Sequence, residues 1–239
     1  LEEGGIFDPS RFAPWLVEQL RPAVPGFDAK TTLESFYEHS RRIGREMTVL
    51  GTDTTTPQPL FLNHRTAPRL PVVEAVRMSL SVPMVWPEVE WNRSWGRYLN
   101  QDLTDHAIVD GAVLSNFPIR HLVRPADADV RAVMGDPAEK PAEVIGLFID
   151  GKRDIPGDAP APAEEAPKIL QRIERLFDTM FSWQYAQLSE FEPLICPIPS
   201  KGHPAMEMRT GADVVQRLQT LVNAGRCAMT EHLKKRKWV

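Results

Sequence analysis

The chain has 239 residues, of which 42% are hydrophobic and 25% charged, with a formal net charge of −4. That length can bury one large core or two small ones, and the acidic balance argues against a nucleic-acid binder, which carries a basic excess. Cys196 and Cys227 make neither a disulfide framework nor a paired metal-ligand spacing, and no apolar run reaches the roughly 18 residues of a membrane span.

Asp8-Pro9 reads as an N-cap followed by Pro at the first helical position, after which Phe12, Trp15, Leu16 and Leu20 recur at helical spacing up to Pro22. A second helix is expected from Thr31, with Thr31 and Glu34 as a capping box and Leu33, Phe36, Tyr37 and Ile43 as its apolar face towards Gly44. Met47 to Thr52 is a β-branched run that predicts a buried strand, and Pro59 to Asn63 predicts a second strand joined to it by a Thr-rich turn. The helix from about Pro71 to Ser81 carries a wide apolar face of Val72, Val73, Ala75, Val76 and Met78, so it packs into the protein. Ala107 to Val109 predicts a strand leading into Asp110.

Val144 to Ile149 is a continuous apolar run of the kind found inside parallel sheets covered on both faces. Pro156 to Pro167 reads as a Pro/Ala/acid linker. A long helix with Ile169, Ile173, Leu176, Phe177 and Met180 on one face follows, then a strand from Leu194 to Ile198 and a final helix from about Ala212. No internal repeat is visible, and the mixture of strands and helices predicts a layered α/β fold.

Two phrases stand out, Ala75-Val-Arg-Met-Ser-Leu-Ser-Val-Pro83 and Ile108-Val-Asp-Gly-Ala-Val-Leu-Ser-Asn-Phe-Pro118. An Asp-Gly pair after a strand is a favoured turn and needs no catalysis to explain it. Ile149-Asp150-Gly151 has the same form and leads only into a Pro-rich loop. Asp110-Gly111 differs in its flanks: an upstream helix with a Ser-x-Pro exit, and Asn116-Phe117-Pro118 downstream. In that combination and order the two phrases resemble the patatin-like phospholipase family.

The resemblance implies a three-layer α/β/α domain with a mainly parallel central sheet, spanning residues 1–239 and incomplete at its N-terminus. Asp110 matches the aspartate that takes the proton of a catalytic serine directly, with no histidine between them. On that reading Gly111 permits the turn that aims the carboxylate, Ala112 keeps the site uncrowded and Asn116 holds the loop, although Asn116 is equally an ordinary loop residue. Asn223-Ala-Gly-Arg226 resembles the family's usual ending.

The family's Gly-rich oxyanion loop and Gly-x-Ser-x-Gly nucleophile elbow occur nowhere in the 239 residues, where the only adjacent glycines are Gly4 and Gly5. The chain therefore resembles the C-terminal two thirds of the domain, with the Asp and without the Ser. The function implied is a phospholipase A-type acyl hydrolase acting on a phospholipid or other acyl lipid, with no cofactor and no nucleic acid. Its serine would come from a separate N-terminal segment. The alternative is a non-catalytic patatin-derived binding or regulatory protein. A missing central strand would also leave Val49, Ile108 and Ile145 uncovered.

Other residue groups carry weaker signals. The six histidines are scattered, and none sits in a motif with an acid and a nucleophile. Asp102, Asp105, His106 and Asp110 form either a metal-binding cluster or a solvated acidic turn. Trp86, Trp91 and Trp95, with Tyr98 and interleaved charges, suit either a lipid-facing surface or a cap on the core. The basic end Lys234 to Lys237 with Trp238 suits anionic lipid or a solvated helix terminus. Localisation reads as cytoplasmic or peripheral to a membrane, with secretion open because the chain starts at Leu1 rather than Met.

Overall fold

The computed structural model describes residues 10–136, 143–158, 168–203 and 213–237. The expected N-cap at Asp8-Pro9, most of the Pro-rich linker, Ala212 and Trp238 lie outside these residues. The chain divides into two compact units, Leu1–Pro141 and Ala142–Val239.

The first unit opens with α1 (Phe12–Leu20), which turns Val17 inward. In α2 (Leu33–Ser40) the capping box is Thr32 with Ser35 rather than Thr31 with Glu34: the Thr32 hydroxyl accepts from the Ser35 N–H at 3.2 Å and the Ser35 hydroxyl accepts from the Thr32 N–H at 3.0 Å. Thr31 instead takes the Asp28 N–H at 2.9 Å. Two adjacent threonines compete for one cap, and Thr32, whose backbone is extended, takes it. The helix also stops before Ile43. The chain tightens into a 3-10 turn over Arg41–Ile43 and reverses at Gly44, φ +64°, so Ile43 is exposed instead of joining the apolar face.

Strands β1 (Val49–Asp53) and β2 (Gln58–Leu62) form the expected hairpin, Val49 opposite Leu62 and Asp53 opposite Gln58. Its turn is anchored by Asp53, whose buried carboxylate accepts from the N–H groups of Thr55 and Thr56, from Gln58 Nε2 and from His106 Nδ1 at 2.9 Å. Burial pushes that carboxyl up, but the bonds from His106, Thr56 and Gln58 outweigh it and hold it below the usual value. The next helix, α3 (Val72–Leu80), buries Val72, Val73, Ala75 and Met78 against β1 and against β4 (Ala107–Asp110). A short strand, β3 (Val89–Glu90), pairs with the far edge of β4. Three short helices follow, α4 (Ala112–Ser115), α5 (Arg120–Val123) and α6 (Ala128–Met134).

The sheet order is β2-β1-β4-β3, and every pairing is antiparallel. The expectation of a mainly parallel central sheet is corrected here. The β1–β2 turn is too short for a crossover, which a parallel pair requires, and β4 returns beside β1 in the opposite sense. What stands is a mixed α/β architecture. Alternation along the strands sends Leu60, Leu62 and Ile108 into the core under α3, with Trp91, Tyr98 and Leu103. Phe61 and Val109, on the other face, are buried as well. Ile108 is thus fully covered and Val49 partly so, contrary to the expectation that a missing strand leaves them bare.

In the second unit β5 (Gly146–Asp150) and β6 (Ile195–Pro199) pair in parallel, Gly146 opposite Ile195. Helix α7 (Lys168–Ala186) lies between them in sequence, and α8 (Asp213–Lys235) packs against β6. Leu147 and Ile149 are exposed, so the apolar run of β5 is not buried on both faces. Arg236, in the basic end, donates to the Val144 carbonyl at 2.8 Å.

Candidate active site

Asp110 ends β4, opposite Gly51 of β1. Its backbone N–H donates to the Ser81 carbonyl at 3.0 Å, which ties the strand end to the exit of α3 and explains why the two sequence phrases occur together. Its Oδ1 accepts from the Ala112 N–H at 2.8 Å. Among the described residues Oδ2 has no hydrogen-bond partner, and no histidine bonds to either oxygen. Burial raises the Asp110 carboxyl above its ordinary value of 3.8, an effect the Ala112 N–H opposes only in part.

Gly111 acts differently from the expected part. Its backbone is ordinary right-handed helical, φ −60° and ψ −25°, so no unusual turn demands glycine. The demand is space, because a Cβ there would stand 2.5 Å from Leu50 Cβ and 2.7 Å from the Leu50 carbonyl carbon. Glycine lets the loop close directly onto β1, where the Thr52 hydroxyl reaches the Gly111 carbonyl at 3.5 Å. Ala112 is the first residue of α4, and Asn116 stands exposed at its C-terminal end.

Asp150 reproduces part of this geometry, with Oδ1 accepting from the Lys152 N–H at 3.0 Å. Nothing lies within 4 Å of a Cβ built on Gly151, so the second Asp-Gly pair lacks the close backing of the first.

The acidic cluster disperses. His106 turns to Asp53, Asp102 accepts from the backbone and hydroxyl of Thr104, and Asp110 sits at the other end of β4. Among the described residues no group of three His, Cys, Asp or Glu has metal-binding geometry. Trp91 is fully buried, donates from Nε1 to the Gly96 carbonyl at 2.9 Å and meets Trp95 edge-on at 6.0 Å. A lipid-facing position is therefore corrected for Trp91, while Trp86 and Trp95 are half-buried. Sequence reasoning missed the Asp53–His106 pair. Its one local signal is the run Asp53-Thr-Thr-Thr56, a natural side-chain-to-backbone turn.

The arrangement defines a carboxylate held at one oxygen, open at the other and partly removed from water. A family model for the patatin-like phospholipases matches residues 1–123, just over half of the chain. The chain belongs to the patatin-like phospholipase family. Among solved structures it is similar to the crystal structure of VipD from Legionella pneumophila, at 12% identity and a TM-score of 0.41, over 89% of this chain and 37% of that one. The chain thus spans little more than a third of that protein's length. No curated protein matches it.

The raised Asp110 carboxyl has a consequence for stability. Between 3.8 and its higher folded value, the folded chain keeps a proton that the unfolded chain releases, so this group's stabilisation is full at acid pH and is lost as pH rises through the folded value. Asp110→Asn removes that charge while retaining an oxygen for the Ala112 N–H. It is expected to melt higher than the parent at about pH 7, with the gain disappearing near pH 3, below both titrations. A melting temperature at neutral pH no higher than the parent's would contradict the desolvated site.

Proposed function

We propose that this chain carries the general base of a patatin-type lipid acyl hydrolase, with Asp110 as that base. The observation that supports the reading best is the pairing of an open Oδ2 with a carboxyl raised by burial, which makes it a better proton acceptor than an ordinary carboxylate. A serine supplied by a segment outside these 239 residues would stand within hydrogen-bond reach of Oδ2. As its oxygen attacks the ester carbonyl carbon, its proton passes to Asp110 and the carbonyl electron pair becomes the oxyanion. Collapse expels the alcohol of the lipid, which takes the proton back from Asp110. Water then attacks the acyl-enzyme, Asp110 receives its proton, and the proton returns to the serine as the fatty acid leaves. Gly111 and the bond to Ser81 hold the carboxylate in place; Ala112 fixes its other oxygen.

The chain alone should not turn over a short p-nitrophenyl ester, because a base without nucleophile and oxyanion donors has nothing to activate. The purified 239 residues are expected to be inert to such an ester and to a fluorophosphonate probe. Serine-dependent turnover blocked by the probe would sink the division of labour. Full inactivity even after the serine-bearing segment is restored would favour the non-catalytic reading.

A further inference from the structure

The register of the sheet places the start of β1, the end of β2 and the end of β4 at one edge, since Val49 faces Leu62 and Gly51 faces Asp110. The segments that enter or leave at that edge carry large apolar side chains left in water: Ile43 before β1, Leu80 and Met84 around the exit of α3, Leu114 in α4 and Leu122 in α5. Ile43 is the most exposed of these, at 73%. Its exposure belongs to a closed turn and not to a loose end, for the Gly44 N–H donates to Arg41 O at 3.0 Å and the Arg45 N–H to Ser40 O at 3.2 Å.

Charge around this turn is mixed, but it is unevenly paired. Glu38 pairs with Arg41, and Glu46 with Arg65. That leaves Arg42 and Arg45, on either side of Ile43, with no side-chain ion-pair or hydrogen-bond partner among the described residues. Two unpaired guanidinium groups around an exposed apolar tip, on a chain of net charge −4, concentrate positive charge where apolar surface is presented. Guanidinium groups recognise phosphate oxygens through paired N–H donors, and an apolar residue between them gains by entering acyl chains.

We infer that the Arg41–Arg45 turn docks this chain onto an anionic phospholipid surface, Arg42 and Arg45 on head-group phosphates and Ile43 between them, with the Asp110 edge of the sheet turned to the lipid. The inference rests on the reading of the chain as part of a lipid acyl hydrolase, which makes a lipid surface the fitting occupant of that edge.

The test is sedimentation of the chain with vesicles of phosphatidylcholine containing about a third phosphatidylglycerol, against phosphatidylcholine alone. Binding is expected with the anionic vesicles only. Arg42→Ala with Arg45→Ala should weaken it about 30-fold, a factor of about five for each basic residue, and Ile43→Ser about tenfold. Val215→Ser, which removes an equally exposed apolar side chain from α8, should bind as the parent does. All the altered side chains of the turn are exposed, so unchanged circular dichroism is expected of each variant. Equal sedimentation with both vesicles, undiminished binding by the turn variants, or an equal loss in Val215→Ser overturns the inference. With the chain joined to a serine-bearing segment, Asp110-dependent turnover without anionic-vesicle preference would remove the docking turn alone; vesicle preference without such turnover would remove the catalytic reading alone.

Discussion

Gly111→Ala is expected to lower the stability of this chain by about 2 kcal/mol or more, towards the upper part of what overpacking a closed site costs. The added methyl would overlap Leu50 Cβ and the Leu50 carbonyl, at 2.5 to 2.8 Å. These atoms belong to β1, paired on both sides by β2 and β4, so the strand cannot yield without straining two ladders. A loss of that size is a large share of the roughly 5–15 kcal/mol that keeps a domain folded, and corresponds to a fall of roughly 4 °C in melting temperature per kcal/mol for a unit of this size. Gly151→Ala is the matched control, since it follows Asp150 in the same sequence form and its Cβ meets nothing within 4 Å. It should change stability by less than about 0.5 kcal/mol. Equal effects in thermal melts would mean that the Asp110 loop does not close onto β1 as described.

Much of the first unit was legible because its local signals agree. The helix at Val72–Leu80 follows from five apolar residues at helical spacing, and the strand into Asp110 from Ile108-Val109 before a glycine. Strand direction was not legible, since an apolar run encodes burial and says nothing of which neighbour it pairs with or in what sense. For the same reason the continuous run at Val144 to Ile149 predicts cover on both faces, although Leu147 and Ile149 are exposed. Helical spacing places Ile43 on the apolar face of α2, but the helix ends at Ser40 and the 3-10 turn Arg41–Ile43, closed by a left-handed Gly44, turns it outward. Trp91 was ambiguous because an indole serves a core and an interface equally well; only its bond to the Gly96 carbonyl and its full burial decide.

At the site, sequence pattern separated Asp110 from Asp150 by their flanks, and the geometry adds physical reasons. Asp110 is backed by Leu50 through Gly111 and tied to α3 through Ser81, and burial raises its carboxyl. The docking turn at Arg42, Ile43 and Arg45 was hidden because its meaning depends on which glutamates the other arginines occupy, and only the folded chain shows that.

The most direct test of the central claim is turnover by this chain joined to a patatin-type serine-bearing segment, carrying Asp110→Asn or Asp150→Asn. Asparagine keeps the shape and the Ala112 bond but cannot take a proton, so loss of a positioned base should cost at least about 100-fold in kcat/KM, the low end for such a group. Asp150→Asn, which alters the same dipeptide without the Leu50 backing, should leave turnover nearly unchanged. A 100-fold loss confined to Asp110→Asn is the predicted result; equal effects at the two positions, or full activity of Asp110→Asn, would contradict the assignment of Asp110 as the base.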